Sequence, residues 1–534
     1  PHHGPMLPVV QDGAVVALQP LSVRYSGYQA TQEIRALYNL WSAETIDEAF
    51  VALDDFTFGG QNWVFAAVGG DIGWTSQAEI PTRTAASYSL SPTNPAGAAP
   101  YLIMPGTGET EWNGTVSPRY IPHAINPTTG YITTANLDPV GATFDGDSLN
   151  GAPIDVDENP DTDPVPLYLN HGYAVGYRNA RIDELINRAA SGGVISPEQM
   201  AAAQLDNFSV TGRTFRNALV EALDAVQDPS GAPADVATRV GELSDAELAG
   251  LEDAADRLRG WEFSTPPAVE IVTEDTPSTL TDAMIAESVA TSIFNTWFVY
   301  FLDGLIGDEF DALAETDEED NVIATFDRSS ITARTQIAIA TSALFDPEAL
   351  ASGVLGSTGE ALICDVVNTA SEESCTRVVI DAMVLALAWL EGDMGFGSAM
   401  RESWRWGQLH QLDLDPLAPS ARLTVPTSTD PDPLLRGGGY PRPGDNYNIN
   451  STDPGIGDLN FEHSRAGPAQ RMIAVLNQSS IRVQLQIPGG TVFNRSSPYY
   501  RNLMDNYWQP GEYFDVPHTI DEIAESARER HVFR

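Results

Sequence analysis

Residues 105–114 read PGTGETEWNG, and residues 126–136 read NPTTGYITTAN. Both segments are rich in Gly, Pro, Asn and Thr, and Gly, Pro and Asn are typical turn residues. They lie within a longer stretch, residues 91–160, that has the same bias. Such a composition predicts long ordered loops or edge structure rather than helices. We therefore expect the regular elements on either side of this stretch.

The chain before these loops is predicted to hold short strands and one clear helix. Ser42 can cap a helix that runs through Ala52. Apolar side chains recur on one face of that helix, at positions 46, 49, 50 and 53. A strand is predicted at 63–68, and Gly69-Gly70-Asp71 predicts a hairpin turn into a second strand at 72–74.

The chain after the loops changes character to helix between about residues 180 and 400. Capping boxes begin at Ser196 and Ser244, and the first of them has proline at the first helical position. Further predicted elements are helices at 283–304, 331–345 and 377–391, strands at 471–477 and 481–487, and a helix near 519–530. The order of strands, helices and strands predicts an α+β fold with a helical insertion, and C-terminal strands that complete the core. The corresponding domain division is 1–190, 191–400 and 401–534.

The amino-acid composition argues against some classes of binding partner. The chain has 28 Lys+Arg against 74 Asp+Glu, so the net charge is 28 − 74 = −46, and none of the cationic residues is lysine. A charge this negative argues against binding to nucleic acids or to anionic membranes. We expect no membrane span, because the best apolar run, Val378 to Leu390, is short and interrupted by Asp381. That run predicts a buried helix.

The two cysteines, Cys364 and Cys375, are eleven positions apart. In a cytosolic protein, they would be buried thiols. In an exported protein, a local disulfide is favoured, and two cysteines without a nearby histidine pair make a poor zinc site.

Most other motifs indicate no site. The chain has no His-Glu-x-x-His pair, no Gly-x-Ser-x-Gly elbow and no Walker loop. The aromatic cluster at 404–410 is interpreted as packing. The acidic stretch at 155–160 begins like a calcium loop, but Pro160 replaces the turn glycine and Pro166 replaces the bidentate glutamate. A looser structural calcium site remains open, with Asp155, Asp157, Asp161 or Asp163 as ligands; the alternative is a solvated acidic loop.

The two opening segments resemble the penicillin acylase family, a group of N-terminal-nucleophile (Ntn) hydrolases whose β-subunit carries a similar "PGTG…W.G" segment followed by "NP..GYI…N". The resemblance covers roughly 1–206 and 400–530. Further similar segments are 3–7 (HGPML), 62–63 (NW), 70–74 (GDIGW), 81–83 (PTR), 176–182 (GYRNARI), 196–206, 488–490 (PGG) and 497–500 (SPYY). This resemblance implies the αββα sandwich core of the Ntn hydrolases.

The resemblance also implies a mechanism. In this family, the first residue of the β-subunit is a serine that is released by self-cleavage, and its own α-amine is the general base. The hydroxyl attacks an amide carbonyl, and water hydrolyses the resulting acyl-enzyme. Asn136 aligns with the family's oxyanion-hole asparagine, and its side-chain amide is a suitable donor. Arg178 aligns with an arginine that organises the site or binds a substrate carboxylate. No cofactor is required.

Three further residues are candidates for substrate binding. Asn62 and Trp63 are expected on a core strand near the pocket, with packing as the equal alternative. His3 is expected near the amine, although a lone histidine in a strand is usually structural. Turn formation before Leu137-Asp138-Pro139 is likewise the alternative role of Asn136.

The chain departs from the family at its start, which is Pro1 rather than serine. We expect the nucleophile on a companion segment, together with a companion α chain, so that this polypeptide alone is inactive. The expected activity is hydrolysis of a linear N-acyl amide, such as a β-lactam side chain or an acyl-homoserine lactone, in the periplasm or outside the cell. The alternative is a non-catalytic binding or structural relative that lost its nucleophile.

Overall fold

The protein is described by a computed structural model that covers residues 3–11, 14–28, 30–89, 99–269, 280–313, 315–316, 322–325, 327–347, 361–367, 369, 372–414, 439–462, 467–477 and 480–527. The chain forms two compact units. The first unit contains Pro1–Ala174 together with Leu476–Ile481, and the second contains Val175–Val475 together with Arg482–Arg534.

The first unit contains most of the small sheets. Its strands are β1 (Met6–Gln11), β2 (Ala14–Ser22), β3 (Trp63–Ala66), β4 (Ile72–Thr75), β5 (Pro81–Thr82), β6 (Gly114–Thr115) and β7 (His123–Ile125), and its helices are α1 (Glu33–Leu40) and α2 (Ile46–Leu53). The strands form the antiparallel pairs β1–β2 and β5–β6 and the three-stranded sheet β3–β4–β7. Helix α2 packs on β4 at Gly73, where a Cβ atom would lie only 2.5 Å from Ile46 Cγ2. A side chain at position 73 would therefore push the helix off the sheet.

The predicted start of the first helix was wrong. Helix α2 begins at Ile46, and its N-cap is Thr45, whose hydroxyl accepts a hydrogen bond from Glu48 N at 3.2 Å. Ser42 instead lies in the turn that ends α1, where its N–H donates to the carbonyl of Asn39. The apolar periodicity correctly predicted the buried face of α2. The predicted start was wrong because α1 occupies the preceding residues and Ser42 belongs to the turn that ends α1.

The second unit contains the helical core. Its helices are α3 (Tyr177–Ala190), α4 (Pro197–Gln204), α5 (Val210–Gln227), α6 (Ala234–Val240), α7 (Asp245–Arg259), α8 (Asp282–Ala312), α9 (Ala333–Phe345), α10 (Cys375–Glu391), α11 (Trp406–Leu409) and α12 (Ile520–Ser526). Its strands are β8 (Glu315–Thr316), β9 (Val322–Ala324), β10 (Gln411–Leu412), β11 (Tyr440–Pro441), β12 (Arg471–Leu476), β13 (Ile481–Gln486) and β14 (Phe514–Asp515). Strands β12, β13 and β14 form one sheet.

Helix α8 is the centre of this core. It packs against α5, α7 and α10, and the side chains of Phe294, Trp297 and Phe301 are fully buried. Its length and composition would also allow it to cross a membrane. We predicted no run long enough to span a bilayer, and this prediction overlooked helix α8. In that apolar window, however, 83% of the residues are buried inside the protein. This burial is typical of a core helix that is apolar on all sides.

Several local predictions are confirmed. Ser196 and Ser244 each form a reciprocal capping box, with Gln199 and Glu247 respectively. The predicted helices at 283–304, 331–345 and 377–391 correspond to α8, α9 and α10, and the two predicted C-terminal strands correspond to β12 and β13. The helix near 519–530 is the shorter α12. The mixture of helices and sheets confirms the α+β class, while the division into three segments stays a prediction.

The cysteines and the aromatic cluster have structural roles. Cys364 and Cys375 form a disulfide, as favoured for an exported protein. Trp404 and Trp406 are buried, and their indole N–H groups donate to the carbonyls of Ser398 and Gly444 at 2.7 and 2.6 Å. These contacts support the packing interpretation of the cluster.

Candidate functional site

Asn136 lies in an exposed loop that is fixed by its neighbours. Its φ of 60° is in the left-handed region, which asparagine tolerates better than most residues. Its carbonyl accepts the N–H of Ala174 at 2.9 Å. Two residues later, the buried carboxylate of Asp138 accepts four hydrogen bonds, from the N–H groups of Val140, Gly141 and Thr143 and from the Thr143 hydroxyl, at 2.8–3.0 Å. The backbone from Asn136 to Thr143 is therefore held in place, as a preorganised donor requires.

Asn62 and Trp63 are located at the start of β3. The amide oxygen of Asn62 accepts the indole N–H of Trp74 at 2.9 Å, across the hairpin. The Trp63 ring packs edge-on against Phe56 at 5.1 Å. Its own indole nitrogen is buried and has no acceptor among the residues that the structure describes. The structure thus gives Asn62 a packing role and leaves the Trp63 N–H as a donor that a ligand could use.

His3 contacts the loop segment formed by residues 105–114. Its Nε2 contacts the carboxylate of Glu111, which also pairs with the Arg24 guanidinium. Arg24 in turn stacks over the Trp112 ring at 4.3 Å. This chain of contacts ties residues 3 and 24 to residues 111–112. It supports the structural alternative for His3.

Arg178 lies in the second unit, in the first turn of α3, after Gly176 at φ 95°. Its positive charge acts on the Asp453 carboxylate and on the Tyr447 phenol. Burial raises the pKa of Asp453 to about 6, although the N–H of Tyr447 and the charge of Arg178 both lower it. The charge of Arg178 therefore acts on a buried polar loop, which we define as residues 442–455.

Arg181, one turn along α3, has a different environment. It is buried and holds the carboxylate of Asp206 through Nε at 3.1 Å and Nη2 at 2.8 Å. Its Nη1 contacts Glu184 at 2.9 Å, and its guanidinium lies 4.1 Å over the Phe208 ring. These contacts make Arg181 a structural residue.

The polar loop contains a site residue that the sequence reasoning missed. Asp445 is fully buried, and its Oδ2 accepts hydrogen bonds from the Ser209 hydroxyl and from Asn295 Nδ2. Burial raises its pKa to about 7. Loops are seldom buried, because their backbone polar groups need partners. The available sequence signal was the density of Asn and Asp at 444–453, a composition that predicts a loop but not its burial.

The acidic stretch 155–163 does not come together as a metal centre. The Asp157 carboxylate accepts the Thr162 hydroxyl at 2.9 Å and the Asn159 N–H at 3.3 Å. Over the described part of the chain, no group of three or more Asp, Glu, His or Cys side chains is placed to hold a metal ion. The calcium site at Asp155, Asp157 and Asp163 stays a prediction without geometric support.

Comparisons with known proteins agree on one family. The model of the penicillin amidase family matches residues 1–525. Acyl-homoserine lactone acylase QuiP of Pseudomonas aeruginosa is 23% identical over 533 residues, which is 96% of this chain and 52% of the relative. Penicillin G acylase of Escherichia coli is 33% identical over 78 residues, or 15% of this chain and 8% of the relative.

A solved structure of a thermostable penicillin G acylase from Alcaligenes faecalis matches this chain with 17% identity and a TM-score of 0.48. The match includes 94% of this chain and 73% of the acylase chain. The chain spans about half the length of QuiP, and the match to QuiP includes most residues of this chain. The family model extends over almost all of the sequence, and this chain belongs to the penicillin amidase family.

Proposed function

We propose that this chain is the scaffold part of an enzyme that hydrolyses linear N-acyl amides through a serine acyl-enzyme. Family membership over residues 1–525 is the observation that carries the proposal. The fixed loop at Asn136 and the cation at Arg178 add to it, because the resemblance to the family implies functional roles for both residues. The nucleophile is supplied by residues outside the sequence, in keeping with a relative that is about twice as long.

The reaction has two balanced steps. The serine hydroxyl gives its proton to the α-amine of the same residue, and its oxygen bonds to the amide carbon. The oxyanion that forms accepts a hydrogen bond from the Asn136 amide. The C–N bond then breaks as the leaving amine takes the proton, and an ester remains on the serine. Water attacks this ester in the same way and releases the acid.

Arg178 contributes charge rather than proton transfer. An arginine stays protonated throughout the physiological pH range. At the start of α3, it can hold a substrate carboxylate or keep the polar loop in place through Asp453. Both roles require the guanidinium to remain accessible, and Arg178 is only half-buried.

A companion chain has a surface on which to dock. Helix α1 presents Ile34, Tyr38 and Trp41 at 82%, 67% and 84% exposure, at the spacing of one helical face. Apolar side chains grouped on one face in this way mark interaction sites. We propose that the remaining part of the protein covers this face.

The substrate class and the location follow from the relatives and the disulfide. QuiP is named for acyl-homoserine lactones and the Escherichia coli relative for penicillin G. Both names point to N-acyl compounds, so we propose an N-acylated small molecule as substrate. The disulfide between Cys364 and Cys375 and the acidic composition support a periplasmic or secreted protein.

The test uses the protein purified from its native source with any companion chains attached. Amine release is measured from a panel of N-acyl compounds, including penicillin G and acyl-homoserine lactones of different lengths. Each chain is sequenced from its N-terminus. We expect amine release and a companion chain that begins with Ser, Thr or Cys. Absence of both would instead favour a non-catalytic relative.

A further inference from the structure

Two buried arginines face the same tryptophan in the second unit. Arg442 follows β11, Arg471 begins β12, and their exposed fractions are 2% and 4%. The guanidinium carbons lie 4.2 and 5.0 Å from the centroid of the Trp508 ring, which ends the π-helical turn Met504–Trp508. Two like charges are thereby held close together in an environment with little water.

The partners of these arginines are all neutral. Arg442 Nη1 donates to Gln509 Oε1 at 3.1 Å, and Arg471 donates to Gln486 Oε1 at 2.7 Å and to Asn450 Oδ1. Within the described residues, neither guanidinium has a carboxylate within ion-pair distance. Acidic residues are not scarce, since the chain carries 74 of them. The neutral partners of the two arginines therefore do not reflect a shortage of carboxylates in the chain.

Among the described residues, four buried donors at these two arginines and Gln486 have no acceptor. They are Arg442 Nε, Arg442 Nη2, Arg471 Nε and Gln486 Nε2. The Gln486 amide cannot simply be turned over, because its oxygen already accepts from Arg471. Each buried donor without a partner costs about 1–3 kcal/mol, and more when it is charged. An acceptor with several lone pairs is the group that would offset this cost for more than one of these donors.

The chain itself shows what the free edge of Arg442 binds. Arg35 uses Nε and Nη2 to hold both oxygens of Asp55, and Arg181 uses the same two nitrogens to hold both oxygens of Asp206. Nε and Nη2 form the edge of the guanidinium that matches two coplanar oxygens. At Arg442, this edge has no acceptor in the part of the chain that the structure describes.

Both arginines remain charged at neutral pH. Burial lowers the pKa of Arg442 to about 9, with a further contribution from the charge of Arg471. Burial also lowers the pKa of Arg471, to about 10. Buried charges in proteins are normally paired, because an isolated ion in a nonpolar medium is very costly. One anion between the two would compensate both.

We propose that the Nε and Nη2 edge of Arg442, together with Arg471 Nε and Gln486 Nε2, binds an oxyanion through two of its oxygens. The chemistry fits a carboxylate from another segment of the complete protein, and it equally fits a free sulfate or phosphate. Trp508 is the flat apolar surface on which the two guanidinium groups are stacked.

The decisive experiment is a crystal structure of the protein purified with its companion chains, grown with selenate as the anion. An anomalous selenium peak within hydrogen-bond distance of Arg442 Nε and Nη2 would support binding of a free oxyanion. An Asp or Glu carboxylate from another segment at this edge would support the second source. An edge that faces only water or apolar atoms would overturn the proposal.

A matched pair of variants separates a functional anion site from an adventitious ion only. Arg442→Lys keeps the charge but loses the two-nitrogen edge. Arg482→Lys is the control, because Arg482 on β13 forms an exposed ion pair with Asp515 at 3.0 Å. For a free oxyanion at about ten times its Kd, the wild-type Tm should rise about 2 °C more in sulfate than in chloride at equal ionic strength.

Sulfate also stabilises folded proteins in general, so the effect of the site is the part of the rise that exceeds the rise in Arg442→Lys. Arg482→Lys should keep this excess and Arg442→Lys should lose it. For a carboxylate from another segment, sulfate should act equally on all three proteins, and Arg442→Lys should lower the Tm more than Arg482→Lys. Equal behaviour of all three proteins would overturn the proposal, even if selenate is seen in the crystal. If Arg442→Lys does not fold, the wild type alone still tests the proposal, because a crystal structure with neither an anion nor a carboxylate at this edge overturns it.

Discussion

Asn136 is the residue at which the oxyanion proposal can be tested most cleanly. Its φ of 60° means that replacement by alanine would change two things at once. Alanine removes the amide donor, and it also places a Cβ in the left-handed region at a cost of about 1 kcal/mol. Glycine removes the donor but adopts this backbone conformation without strain. Asn136→Gly is therefore the informative substitution.

Loss of one oxyanion donor reduces kcat by about 10²–10³-fold, which corresponds to about 2.7–4 kcal/mol of transition-state stabilisation. We expect this loss in kcat/KM for Asn136→Gly, with a Tm within about 2 °C of the wild type, because the Asp138 hydrogen bonds that hold the loop remain. The assay is amine release from the best N-acyl substrate of the natively assembled protein, with Tm measured on the same samples.

Asn126 provides a matched control in the same unit. It also has positive φ, 45°, but its side chain is fully engaged: Oδ1 accepts the Ile72 N–H at 2.9 Å and Nδ2 donates to Asp71 at 2.8 Å. Asn126→Gly should lower the Tm and leave kcat of the folded enzyme within about threefold of the wild type. Wild-type kcat/KM in Asn136→Gly, or equal losses in both variants, would refute the oxyanion role.

Three further predictions concern the second unit. On helix α3, Arg178→Ala should reduce kcat/KM by at least about tenfold with little change in Tm. Arg181→Ala should instead lower the unfolding free energy by about 3 kcal/mol, because its buried carboxylate partner is left unpaired. The reverse pattern in urea unfolding and amine release would contradict these roles. The pKa of buried Asp445 is raised to about 7 from 3.8, so its stabilising contribution is complete below pH 3.8 and is lost as pH rises through 7. Relative to Asp445→Asn, the wild type should therefore lose up to about 1.4 kcal/mol per pH unit between pH 4 and 7, measured by urea unfolding, and a pH-independent difference would count against this assignment. Replacement of Cys364 and Cys375 by alanine should lower the unfolding free energy by about 3 kcal/mol, because the bridge closes a loop with a sequence separation of 11; an unchanged urea midpoint would show that the bridge is absent or without effect.

Local sequence rules predicted the elements that depend on local contacts. The capping boxes at Ser196 and Ser244 and the hairpin after Trp63 are encoded within a few residues, and the structure has them where the patterns indicate. Thr45 was missed as a cap because Ser42 and Thr45 are both residue types that favour the N-cap position. Only the presence of α1, which claims Ser42 for its C-terminal turn, decides between them.

The parts of the site that sequence reasoning missed are non-local. Asp445 has its hydrogen-bond partners at positions 209 and 295. Arg442, Arg471 and Trp508 come from three separate segments. No pattern along the chain reveals that an Asn/Asp-rich loop is buried, since the same composition is typical of exposed turns. The apolar helix α8 was recognised as a helix, but its burial, which decides between core and membrane, depends on α5, α7 and α10.

The claim that this protein works through an acyl-enzyme can be tested by intact-mass spectrometry. The native assembly is mixed with its best N-acyl substrate, quenched in acid within one turnover, and the masses of all chains are recorded. Our proposal predicts that one chain gains the mass of the acyl group and that the adduct maps to its N-terminal serine. Amine release without any such adduct, under conditions in which deacylation limits the rate, would contradict the proposed mechanism.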